Sequence, residues 1–186
     1  MPYAPPMSPL SHIDAQGRVR MVDVGAKAET EREAVARGLV RMAPATLKLL
    51  QSGKTPKGNM LATAHIAAVM AAKRTSDWIP LTHALSLDAV DVAFGYQARP
   101  AAVTIEVKVR TTGRTGVEME ALTAVAAAGL TLVDMLKAVD RTLVIGDIAL
   151  WEKRGGRSGE WKRKPTPAGT APKPSPAAAS ARRRTR

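Results

Sequence analysis

Cysteine is absent from the 186 residues. That excludes disulfides, thiolate metal sites and cysteine nucleophiles, and it fits a reducing compartment. Aromatic residues are few, with three Trp, two Tyr and one Phe. At 45% hydrophobic the chain can bury a core, but an aliphatic one. No apolar run reads as long enough to span a membrane. The opening MPYAPPMSPLSH has neither the basic region nor the apolar run of a signal peptide, so a cytoplasmic protein is expected. The motifs HExxH, GxSxG, GxxxxGK[ST] and the dinucleotide-binding glycine fingerprint are all missing, as is any repeat of 20–50 residues.

Acids are missing from the last part of the chain. Residues 162–186 hold Lys162, Arg163, Lys164, Lys173, Arg182, Arg183, Arg184 and Arg186 without one Asp or Glu, so this segment carries +8 of the net charge of +12. A Pro/Ala/Arg tail with no hydrophobic pattern reads as a disordered appendage, with non-specific contact to nucleic acid as the partner it suggests. Residues 1–20, with little pattern beyond their prolines, read as an extended arm, which leaves one folded body over residues 21–161.

What is present in that body is periodicity. Ala34, Ala36, Gly38, Val40 and Met42 alternate with polar neighbours, predicting a strand over 31–42. Pro44 suits the first turn of a short helix that Gly53 ends. Asn59 is placed to cap a helix over 60–74, and Pro80 puts residues 78–83 in a loop. Strands follow over 87–94 and 103–110, the second with Val103, Ile105, Val107 and Val109 on one face and Thr104, Glu106, Lys108 and Arg110 exposed on the other. A helix is predicted within 113–137 and a strand over 142–151. Without the short helix the order is β-α-β-β-α-β. This is the split βαβ, ferredoxin-like arrangement, an α+β fold with a four-stranded antiparallel sheet and two helices on one face.

The segment 113–137, GRTGVEMEALTAVAAAGLTLVDMLK, carries two groups of charges. Asp134 and Lys137 are three apart and can pair on one helical face. Glu118 and Glu120 are two apart and diverge unless the helix is only just starting there. Glu118 to Asp134 spans about 24 Å of helix, too far for one small substrate to touch both in the same copy. If both serve one site, a second subunit supplies one of them, and Ala121, Ala124, Ala126, Ala127 and Ala128 would permit close helix–helix approach. An ordinary core helix with capping charges is the alternative. Lys57, Gly58 and Asn59 form either a phosphate-binding corner or a plain N-cap. His83 is the best placed histidine for acid–base or phosphate work, whereas His12 and His65 have no obvious partner. The run KRGGRSG at 153–159 either wraps a phosphate or is a flexible exit from the last strand.

Taken in order, SHID at 11–14, MVDV at 21–24, KGN at 57–59, AAKRTSDWIPLTH at 71–83, TGVEMEALTA at 115–124, DMLKAV at 134–139 and GGRSG at 155–159 resemble one family over about residues 8–162. That is the MoaC family, the cyclic pyranopterin monophosphate synthases of molybdenum cofactor biosynthesis. The resemblance implies a ferredoxin-like fold, a homohexamer built as a trimer of dimers, and a site at a subunit interface. It implies a lyase that converts 3′,8-cyclo-7,8-dihydroguanosine 5′-triphosphate into cyclic pyranopterin monophosphate and releases pyrophosphate.

By motif, the resemblance places Leu81, Thr82, His83, Met119 and Glu120 against substrate, with Glu118 and Lys153 as further candidates. It matches Asp134, Lys57 and Lys137 to the catalytic aspartate and lysines. On these assignments Asp134 orients Lys137, Lys57 and His83 hold the triphosphate, and Glu118 or Glu120 meets the ring nitrogens. No resident metal or cofactor is implied, and magnesium accompanying the triphosphate is left open. The sequence departs from the family pattern at Asn59, His65, Ala68, Thr82, Ala84 and Arg157. The loss of an arginine at His65 puts phosphate affinity in question, and a family member with the fold but without the chemistry is the competing reading. A ferredoxin-like RNA binder is disfavoured because the central strand lacks stacking aromatics.

Overall fold

Strand β1 (Thr30–Arg41) is paired along both edges, and the rest of the fold is arranged around it. A computed structural model describes residues 12–14, 16–53 and 58–164. After β1 come α1 (Pro44–Ser52), α2 (Met60–Lys73), a single turn α3 (Thr75–Trp78), β2 (Ala89–Ala98), β3 (Ala101–Gly113), α4 (Glu118–Leu136), β4 (Val144–Arg154) and β5 (Trp161–Lys162). All strand pairs are antiparallel, in the order β2-β3-β1-β4-β5. The fold is therefore ferredoxin-like, α+β, with five strands rather than the four expected. The extra strand is two residues long, too short to leave a periodic trace.

The alternation in β1 and β3 puts Ala34, Ala36, Val40, Val103, Ile105, Val107 and Val109 under the helices, each at most 1% exposed. Small residues let α4 settle close to the sheet. A Cβ on Gly38 would lie 2.7 Å from Val125 Cγ1, and one on Gly129 would lie 3.1 Å from Ile145 Cγ2. Ala121, Ala124 and Ala128 are fully buried in this same contact. They are therefore used inside the chain, not at a contact between helices of two copies. Ten of the 19 residues of α4 are buried. By length and composition alone α4 could cross a membrane, so the expectation that no run qualifies is corrected, although its apolar side lies on the sheet.

The opposite sheet face also differs from expectation. Thr104 is 3% exposed, and Glu106 is ion-paired with Arg37 rather than free. The Arg37 guanidinium in turn lies 4.7 Å from the centre of the Trp151 ring. The extended arm expected over 1–20 is, at residues 12–14 and 16–20, a small hairpin in which Ile13 bridges Val19. Residues 165–186, most of the expected tail, lie outside the described residues.

Local signals behave as read at several boundaries. Asn59 Oδ1 accepts from the Ala62 amide at 3.0 Å, and Gly53 closes α1 with φ of 67°. The start of α1 has no local side-chain cap. Its cap comes from Asp140, whose carboxylate accepts from the Ala43 amide at 2.8 Å, the Thr46 hydroxyl at 2.9 Å, and the Thr142 amide and hydroxyl at 2.8 and 2.6 Å. These bonds, led by that from the Thr142 hydroxyl, hold the Asp140 carboxyl well below the usual aspartate range. Its contribution is present above the unfolded value of 3.8 and is lost as pH falls through the lower folded value. Asp140→Ala is expected to cost about 2–3 kcal/mol at neutral pH. Urea midpoints of the two proteins should converge in strong acid, and equal midpoints at neutral pH would contradict the capping role.

Candidate active site

The sheet register decides which loops meet. Thr30 pairs with Gly113 and Glu33 with Arg154, so the start of β1 and the ends of β3 and β4 share one end of the sheet. Helix α4 begins there, directly after the turn Gly113 to Gly116. Two of the cavities at this end share Lys27, Thr115, Gly116 and Glu118.

The larger cavity, about 680 Å³, is cationic. Lys27, Arg32, Arg114, Lys153 and Arg157 line it against a single carboxylate, Glu118. Lys153 Nζ lies 3.3 Å from Glu118 Oε1 and donates to the Ser158 hydroxyl at 3.0 Å. Arg32 is held by the carbonyls of Gly113 at 3.3 Å and Arg114 at 3.4 Å. The glycines of GGRSG have a steric reason. At Gly155, φ is 91° and a Cβ would fall 2.0 Å from the Glu31 carbonyl oxygen, so only glycine lets the turn cross β1 and deliver Arg157 and Ser158. Gly116 likewise leaves room for Glu118, whose Oε2 would lie 2.0 Å from a Cβ there. Dense positive charge with converging donors suits an anion such as a phosphate group.

The smaller cavity, about 280 Å³, is mixed. Leu81, Thr82 and His83 face Met119 and Glu120, with Val22, Val24 and Leu85 as apolar wall. The Thr82 hydroxyl is turned back onto the Ile79 carbonyl at 2.9 Å, in the turn that precedes His83. Glu118 and Glu120 both line the cavity because they stand in the first turn of α4, the one circumstance in which residues two apart converge. A flat heterocycle with polar edges suits this lining.

Seven of the ten expected site residues are thereby brought together: Leu81, Thr82, His83, Glu118, Met119, Glu120 and Lys153. Asp134 and Lys137 are not among them. They stand at the far end of α4, paired at 2.6 Å and largely exposed. Lys57 lies outside the described residues. Its neighbour Asn59 starts α2, which packs on α4. Thr75, at the end of that helical stretch, leads into Leu81 and Thr82 beside Met119. The two helices are therefore antiparallel, and Asn59 shares its end of the layer with Asp134 and Lys137. Sequence reasoning missed Lys27, Arg32, Arg114 and His12, which come from separate strand ends and loops. Only the register between β1, β3 and β4 places the three cations together. Among the described residues no group of three His, Asp or Glu could hold a metal ion.

Glu120 is 4% exposed, and burial, with some help from the Glu118 charge, pushes its carboxyl up to about 7. Between the ordinary 4.5 and about 7 the folded chain keeps a proton that the unfolded chain has lost. Ionisation of Glu120 thus weakens the fold as pH rises through that window. Glu120→Gln is expected to melt higher than the parent near pH 8, with the gap closing near pH 4. A gap independent of pH would contradict the buried, protonated carboxyl.

Residues 21–156 match the MoaC family. Among similar proteins are one from Chloroflexus aggregans, 60% identical over 83% of this chain and 93% of its own, and one from Roseiflexus sp. (strain RS-1), 59% identical over 83% of this chain and 98% of its own. A third, from Novosphingobium aromaticivorans, is 56% identical over 84% of this chain and 98% of its own. All three bear the name cyclic pyranopterin monophosphate synthase. With two cavities of fitting chemistry at one sheet end and this likeness along nearly the whole body, the chain belongs to the MoaC family.

Proposed function

We propose that the chain is a cyclic pyranopterin monophosphate synthase, a lyase of molybdenum cofactor biosynthesis. It converts 3′,8-cyclo-7,8-dihydroguanosine 5′-triphosphate into cyclic pyranopterin monophosphate with release of pyrophosphate. The observation that carries this reading is the joined pair of cavities, one built for a polyphosphate and the other for a ring. The triphosphate lies among Arg32, Arg114, Lys153 and Arg157, and the ring lies between His83 and Glu120. This moves the phosphate grip away from His83. His65, where the family carries an arginine, stands exposed on α2 and does not line the cationic cavity. Any magnesium arrives as the counter-ion of the substrate.

The roles follow from environment. Glu120, protonated near neutrality, donates to a ring nitrogen, while Glu118, held by Lys153, accepts from the ring edge. Five cations around the phosphates stabilise the charge that develops as pyrophosphate leaves. Asp134 holds the Lys137 ammonium at 2.6 Å, as a pair that moves protons during rearrangement. With Lys57, this pair reaches the substrate from a second copy, because α4 keeps it about 24 Å from Glu118 of its own chain. A homohexamer arranged as a trimer of dimers, with sites between subunits, satisfies that geometry.

Pyrophosphate release from the cyclised nucleotide tests the reading. Lys137→Ala and Asp134→Asn should lower kcat about 100-fold or more. Arg114→Ala and Lys153→Ala should raise KM about 10-fold or more. Parental kinetics in all four variants would overturn these roles, and no turnover by the parent would overturn the activity.

A further inference from the structure

The hairpin at residues 12–14 and 16–20 is well bonded within itself. The Asp14 amide donates to the Arg18 carbonyl and the Arg20 amide to the His12 carbonyl, both at 2.9 Å. The Asp14 carboxylate accepts from the amides of Gln16 at 2.9 Å and Arg18 at 2.8 Å and from Arg18 Nε at 2.9 Å. Gly17, with φ of 78°, provides the left-handed turn. Among the described residues, no hydrogen bond or ion pair joins this hairpin to the sheet or helices. It hangs from the segment that leads into Lys27.

Its inward side faces the site across a gap. His12 and Val19 form one wall of a cavity of about 450 Å³, and Ile79, Pro80, Leu81, Thr82 and Met119 form the other. His12 also lines the ring cavity with His83 and Glu120. Apolar surface stands open on the hairpin side, where Val19 is 71% and Ile13 42% exposed. A unit bonded within itself, with an apolar gap between it and the body, gains buried area by moving onto the body.

From this geometry we infer that the hairpin is a lid over the ring half of the site, and that closure sets His12 against the bound heterocycle as a substrate-binding residue. His12 Nδ1 lies 3.4 Å from the Arg20 carbonyl oxygen. A carbonyl only accepts, so Nδ1 carries the hydrogen and Nε2 is left as an acceptor. Its partner is an N–H on the edge of a purine-derived ring, a donor-rich edge that the acceptor groups Glu118 and His83 would share. The lid rests on the ring placement proposed above and adds a residue and a motion to it.

The test uses the full chain. His12→Ala should raise KM for the cyclised nucleotide about 10-fold with a smaller change in kcat, and His12→Gln, which keeps an acceptor, should recover part of the loss. Val19→Asp leaves the imidazole in place but charges the closing face, and should raise KM in the same way. Both side chains are exposed, so melting temperatures should not move. Because the chain has no cysteine, Val19→Cys provides a single thiol for a nitroxide. In an Asp134→Asn background the label should lose mobility when the cyclised nucleotide binds, but not with pyrophosphate alone, which fills only the cationic half. Parental KM in His12→Ala and Val19→Asp, or a label whose mobility ignores the nucleotide, would overturn the lid while the parent remains active. An inactive parent would instead remove the reading of the site on which the lid rests.

Discussion

Gly38 and Gly129, with the buried alanines, press α4 onto the sheet, and that contact fixes where both of its ends lie. A helix seated this closely cannot bend or slide to bring Asp134 and Lys137 round to Glu118. One end of the helix serves two cavities with seven expected residues, and the other carries an ion pair in the open. The same packing that builds the core therefore keeps the two groups of charges apart. In the function proposed above, a second copy would bring them together.

Electrostatics sort the near half. The cationic cavity and the buried Glu120 are only a helical turn apart, yet they are arranged for opposite needs. Lys153 turns its charge onto Glu118 at 3.3 Å, at the boundary between the cavities. Glu120 is 4% exposed, and burial lets it retain its proton to about neutrality. The first environment suits an anionic group and the second a neutral ring edge. The far half has a different character: Asp134 and Lys137 are exposed in a single chain, and a neighbouring copy would supply the dry surroundings that make such a pair effective.

Much of the fold was legible because aliphatic side chains alternate cleanly. Val103 to Val109 and Ala34 to Val40 report their buried face directly, and Asn59 and Gly53 mark helix ends through local hydrogen bonding and backbone sign. What failed was short or non-local. Strand β5 and the turn α3 contain too few residues to show a period. Asp140 caps α1 from 97 residues away, which no local window reveals. Site residues inside contiguous motifs, such as Leu81, Thr82 and His83, were readable. Arg32 and Arg114 were not, since they meet only through strand register, and His12, although inside the SHID motif, meets the site only across a tertiary gap.

The central claim is that each site takes Asp134 and Lys137 from one copy and Glu120 and His83 from another. Two inactive variants, Lys137→Ala and His83→Ala, co-expressed with different tags and purified as the mixed assembly, test it most directly. In a mixed dimer one site inherits both defects and the other neither. Random pairing should therefore restore about one quarter of parental turnover. A mixed assembly as inactive as either variant alone would contradict the account.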